Sequence, residues 1–139
     1  MTIPQRAAAL GMEPHPEGGW FVRTWTSTDK VATQGGPRPA ATLIHYLLEA
    51  GQASSWHVVS SDEVWLWHGP GSLELQLGGT GELPEPGPLH RLGGAPDELA
   101  QVFVPAGTWQ RSLLANQEVL VSCLVSPGFD YADWTLLED

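Results

Sequence analysis

Apolar and polar residues alternate with a period of two along most of this chain, and the alternating runs are short. "GGWFVRTWTS", "SSWHVV", "DEVWLWHG", "SLELQLGG" and "LHRLG" each last a few residues before Gly, Pro, Ser or an acidic residue interrupts them. Period two puts every second side chain on one face, so each run reads as a strand. "ATLIHYLLEAG" is a strongly apolar strand stopped by Gly51, and "EVLVSCLVSPG" is the last long strand. "AQVFVPAGTWQRSLLA" reads as two strands around a Pro-Ala-Gly turn, and "TGELPEPGP" as a hairpin connection. Residues 28–40 are polar, carry Gly and Pro, and read as a loop. One segment departs from the alternation: "TIPQRAAALG" predicts a short helix capped by Thr2, with Pro4 in its first turn and Gly11 at its end. Roughly nine or ten short strands with turns between them imply an all-β sandwich or barrel.

Composition narrows this picture. The 139 residues suit one domain, 1–139, with one core. Sixteen acidic residues against six basic ones give a net charge of −10, and no basic stripe exists. Nucleic acid and anionic membrane surfaces are therefore poor partners. Cys123 is the single cysteine, so no internal disulfide or CxxC site is available, and "VLVSCLVS" reads as a buried strand. The N-terminus lacks the apolar stretch of a signal peptide, and no run approaches transmembrane length, so the expected location is cytoplasmic. Seven Trp residues are many for this length and should line a core, a pocket or an interface.

Strand alternation groups the candidate chemistry. His57 shares a face with Val59; Glu63 with Trp65 and Trp67; Gln110 with Ser112 and Leu114; Phe21 with Arg23. If His57, Glu63 and Gln110 point inward, one imidazole, one carboxylate and one amide meet among Trp and aliphatic residues. On "LIHYLL" either His45 or Tyr46 faces in, and His68 sits near a Gly-Pro turn at the rim. "PEGG" at 16–19 suits a tight backbone turn, so the structural reading of Glu17 is favoured over a chemical one. In "PGFDYADW", Asp130 is placed to cap a helix, and Phe129 and Trp134 are expected to pack on the outside.

Two of these segments carry a resemblance. Gly51, His57, Val59, Glu63 and Gly69 stand at spacings similar to the first motif of the cupin superfamily, which has a second His where Val59 stands. "PAGTWQ" at 105–110 is similar to the second motif, whose last ligand, a His, is replaced by Gln110. With "HPEGGWFVRTW" and "PGFDYADW", the chain resembles from about His15 to Trp134 the small single-domain cupins of the fifth cupin domain family. The resemblance implies an RmlC-like jelly-roll barrel with a short N-terminal helix.

The resemblance and the residues together set the functional expectation. No firm cofactor is predicted: Val59 cannot bind a metal and Gln110 offers only an amide, so a divalent ion would be weakly held, on His57, Glu63 and Gln110. Acid–base chemistry without metal would use His57 as general base, with Glu63 or Tyr46 as partner. Trp65, Trp67, Gln110, Arg23 and Ser112 are expected to contact a small polar organic ligand, sugar-like or carboxylate-like. The reading is a cupin that binds such a ligand and acts as an isomerase or epimerase. Beside it stand a non-catalytic binding or sensing module and a metal-dependent enzyme with a depleted ligand set. Trp20, Trp56 and Trp109, facing away from the cavity, point to a homodimer.

Overall fold

The computed structural model describes residues 2–137. The described residues form thirteen strands, one short helix and one 3-10 turn. Six strands form the larger sheet: β1 (Glu13–Pro14), β2 (Trp20–Thr26), β5 (Thr42–Leu48), β7 (Asp62–Pro70), β10 (Gln101–Val104) and β12 (Val119–Ser126), in the order β1-β2-β5-β12-β7-β10. Five form the second sheet: β6 (His57–Val59), β8 (Leu73–Leu77), β9 (Leu89–Leu92), β11 (Gln110–Ser112) and β13 (Trp134–Leu136), in the order β13-β6-β11-β8-β9. All pairings between these strands are antiparallel, and the two sheets close a jelly-roll barrel of the expected class.

The alternation decides what fills the barrel. Tyr46, Trp65, Leu73, Leu75, Leu92, Val104, Val119 and Val121 are each 0–1% exposed and pack as one cluster. The opposite face of β2, β5 and β12 sends Trp20, Leu47 and Leu120 outward, where helix α1 (Gln5–Leu10) covers them with Ala7, and Met12 follows. A six-residue helix is too short to persist alone, so this packing holds it. Its cap is Pro4, not Thr2: no side chain caps it, and the proline's extended ψ of 145° ends the preceding backbone. Gly11 closes it as expected, in the left-handed region at φ 69°.

Residues 28–40 depart from the expected loop. Strands β3 (Lys30–Thr33) and β4 (Gly36–Pro39) pair as a two-stranded ribbon. Both strands of such a ribbon are edges, so Pro37 and Pro39 forfeit no interior ladder bond. Arg38 leaves the ribbon to grip Asp133, Nε to Oδ2 at 2.8 Å and Nη2 to Oδ1 at 3.0 Å. That clamp ties the ribbon to the 3-10 turn Tyr131–Asp133, whose N-terminus Asp130 caps by accepting the Ala132 N–H at 2.8 Å. The tail then adds β13 beside β6, a strand the alternation did not reveal.

On the outer face of the larger sheet, register aligns Trp25, Leu43, Leu124, Val64 and Phe103 across five strands. Trp25 and Phe103, at its ends, are 49% and 54% exposed. The row beside it is Val22, His45, Ser122, Leu66 and Gln101. His45 therefore faces out and Tyr46 in. His68 joins the outer set, its Nε2 2.6 Å from Ser122 Oγ.

Candidate active site

A cavity of about 540 Å³, counting its open mouth, lies between the sheets at one end of the barrel. Glu63 from β7, Cys123 from β12, and His57 and Val59 from β6 line it. His15 and Glu17 enter from the turn between β1 and β2. Phe21 and Arg23 come from β2; Phe129, Tyr131 and Trp134 come from the tail.

The Pro-Glu-Gly-Gly turn is held in place by its backbone. The Glu17 carbonyl accepts the Ser55 N–H at 2.8 Å, and the Tyr46 hydroxyl donates to the Gly18 carbonyl. Gly18 (φ 111°) is obligatory, because a Cβ there would meet the Ala53 carbonyl oxygen at 2.3 Å. The turn thus docks against the lead-in to β6 and sets the Glu17 carboxyl beside His57, Oε2 to Nδ1 at 3.4 Å.

The protonation states follow from the partners. The Ser55 carbonyl, an acceptor only, lies 2.8 Å from His57 Nδ1. Nδ1 therefore carries the proton, and the neutral ring keeps its lone pair on Nε2. No hydrogen bond engages Nε2, and no buried side-chain N or O among the described residues lacks a partner, so Nε2 opens to the cavity. Burial holds His57 below its ordinary range, opposed by the Glu63 carboxyl. His15 accepts the Glu17 N–H on Nδ1 at 3.1 Å, and burial, then His57, lowers it to about 4.

Two carboxyls flank this imidazole pair with unequal support. Burial pushes Glu17 up to about 8, countered by one N–H, from Trp134 Nε1 at 3.4 Å. Burial lifts Glu63 to about 7; His57 opposes this, Glu17 adds to it, and the Gln110 amide and Cys123 thiol hold it back. Burial disfavours charge on both, and Glu63, with donors from Gln110 and Cys123, is the better supported as a carboxylate.

A family model described as "Cupin superfamily (DUF985)" matches residues 5–137. The chain belongs to this cupin family. Solved structures agree. A hypothetical protein from Leishmania major is 33% identical with a TM-score of 0.81, the match covering 94% of this chain and 84% of that one. A Shewanella oneidensis protein is 28% identical with a TM-score of 0.85, covering 99% and 85%. KdgF from Halomonas sp. shares the fold at 16% identity and a TM-score of 0.62, covering 87% of this chain and 89% of that one. No curated protein matches the chain.

The metal that cupins commonly hold does not fit this ligand set. Val59 occupies one ligand position with a hydrocarbon. At another, Gln110 has both ends committed. Trp65 Nε1–H is a donor only, so the amide atom 2.7 Å from it is Oε1. The Nε2 end then donates to Glu63 Oε1 at 2.8 Å. Gln110 presents N–H groups, not oxygen, toward the cavity floor, so its assignment as a third ligand with His57 and Glu63 is corrected. Among the described residues no group of three or more His, Cys, Asp or Glu is arranged to hold a metal ion.

Of the residues singled out in the sequence, His57, Glu63 and Arg23 meet at the cavity of this cupin. Trp65, at 1% exposure, and Gln110, also 1%, lie behind Glu63 in the core. Trp67 donates to the Gly71 carbonyl at 2.7 Å instead of lining the wall. The Tyr46 hydroxyl is consumed by Gly18, and Ser112 trades hydrogen bonds with Ser54 on the far side. Leu114 lies beyond the end of β11 and is 69% exposed. Glu17, Phe129 and Trp134, read as structural or outward-facing, are cavity residues. Trp20 and Trp109 are 3% and 4% exposed, one under the helix and one donating to the Gly81 carbonyl, so they form no outer patch.

Proposed function

We propose that this cupin binds a small organic molecule in the cavity and transforms it by proton transfer, without a metal in the His57–Glu63 position. His57 is the general base, through Nε2. Glu17 is the acid, and Glu63 is the carboxylate that stabilises the imidazolium as it forms. The observation that carries this reading is the lone pair of His57 exposed to a cavity between two buried carboxyls whose surroundings separate their proton affinities.

The test is NMR titration of protein labelled with 13C at its Glu carboxyls. Two resonances should titrate between about pH 6.5 and 8.5, far above the ordinary Glu value. All carboxyls titrating near 4.5 would overturn the reading. A homodimer is proposed as well, through the outer row from Trp25 to Phe103. That row and its neighbour carry no Asp, Glu, Lys or Arg. In a chain of net charge −10, such a face lets two copies meet without opposing like charges.

A further inference from the structure

Arg23 stands on β2 with its side chain at the cavity mouth. Its Nη2 donates to the Phe129 carbonyl at 3.1 Å, which fixes the guanidinium across the opening. Among the described residues Arg38 and Arg91 find carboxylates, whereas Arg23 finds none. Arg111, on the Gln76 amide, also lacks a carboxylate, but Arg23 is the one that stands at this cavity. It is also the only cationic side chain among the cavity residues, the histidines being neutral. Its remaining N–H groups match the planar, bidentate demand of a carboxylate.

The rest of the lining restricts the part of the ligand that lies deeper than its carboxylate. Phe21, Ile44, Val59, Val125 and Phe129 make the walls between mouth and floor. They offer no partners for the hydroxyls of a sugar, each of which would be buried at a cost. Thr42 is already engaged, its Oγ1 accepting the Phe129 N–H at 2.9 Å. The floor carries the Glu63 carboxylate, which opposes a second negative charge, and Arg23 is the one cation to offset it, so phosphate esters and diphosphates are disfavoured.

We propose that the cavity takes a short oxo-acid: a monocarboxylate with an apolar body, its carboxylate on Arg23, its carbonyl toward Glu17 and an adjacent C–H toward His57. This rests on the acid–base reading above. His57 Nε2 takes the proton from the carbon beside the carbonyl. The C–H electron pair becomes the C=C bond of an enol, and the carbonyl π pair moves to oxygen, which receives the Glu17 proton. Return of the carbon-bound proton from His57, to either face or to a conjugated position, restores the carbonyl and reprotonates Glu17. Atoms and electrons balance, and the product is an epimer or isomer.

The experiment monitors hydrogen exchange at C3 of 2-oxobutanoate and 3-methyl-2-oxobutanoate in D2O by proton NMR. Butanone and 3-methylbutan-2-one serve as neutral counterparts. The protein should accelerate exchange of the acids and not of the ketones. Arg23→Ala should raise KM about tenfold or more with little change in kcat, and Arg23→Lys should recover part of the loss. His57→Ala should abolish exchange. Ketones exchanging as fast as the acids, or an unchanged KM in Arg23→Ala, would overturn the carboxylate assignment and leave the acid–base site standing. Acids that fail to exchange while two carboxyls titrate near neutrality would overturn the substrate class alone. Carboxyls that titrate near 4.5 would bring down the acid–base reading beneath it.

Discussion

Glu17 Oε2 lies 3.4 Å from His57 Nδ1, and the two do not form an ion pair. The Nδ1 proton is committed to the nearer Ser55 carbonyl at 2.8 Å. Burial keeps the imidazole uncharged and the carboxyl protonated, so the contact joins two neutral groups. Proton transfer from a ligand is what would charge this pair, and the neutral state is the one poised to accept it.

Stability should depend on pH in a defined window. Glu17 and Glu63 have folded values raised to about 8 and about 7, so the folded chain retains protons that the unfolded chain has released. Their contribution is complete below about 4.5 and is lost as pH rises through those values. His15 and His57 act oppositely: their lowered values cost stability as pH falls below about 6.5. The two effects oppose each other between about 4.5 and 6.5, leaving a net decline from about pH 6.5 to 8. Urea denaturation across that range should show a loss on the order of a few kcal/mol, and Glu17→Gln should flatten it.

Gln110→Leu should destabilise the chain by about 1–3 kcal/mol, because it orphans the buried Trp65 N–H. It should also move the Glu63 titration upward, since the amide N–H that favours its charged form is gone. A stability loss with an unmoved Glu63 titration would contradict the hydrogen-bond assignment.

The fold and half of the site were legible in the residue pattern. Alternation on "EVWLW" and "WHVV" put Glu63 on one face with Trp65 and His57 on one face with Val59, because a strand's period does not depend on the rest of the chain; the inward direction of those faces was a condition, not a result. Alternation could not show that Trp65 and Gln110 would bond to each other and retreat behind Glu63, since that depends on cross-sheet packing. Glu17 escaped for a different reason. It lies in a turn, where period two does not apply, and its two glycines explained the segment without it. The signal available was a charged residue between Pro16 and Gly18, two positions after His15, in a chain whose cavity motifs lacked two imidazoles.

Val59→His combined with Gln110→His should create a divalent metal site with His57 and Glu63. Val59 already lines the cavity beside His57, and a histidine at 110 replaces the committed amide. Cobalt(II) titration monitored by visible absorption should reveal binding in the double variant and little in the natural chain. Val59→His alone should bind weakly, because Gln110 still holds Glu63.

The dimer prediction is checked by light scattering at micromolar concentration, where the mass should be twice 15.0 kDa. Leu124→Glu puts a charge in the middle of the outer row and should return the protein to monomers with its melting temperature little changed. A natural chain that scatters as a monomer would remove the row as an interface.

One hydrogen bond, from Trp134 Nε1–H to Glu17 Oε2, joins residues 117 positions apart. Glu17, the acid of the proposed chemistry, comes from an early turn and its Trp134 donor from the tail, with the barrel strands between them. During synthesis the core can collapse while the cavity still lacks its last wall. On the proposed reading, a chain interrupted anywhere before residue 134 lacks that wall and its donor to Glu17 even where it folds. On the proposed acid–base reading, chemical competence marks a chain read through to its tail and docked there, a stricter standard than foldedness.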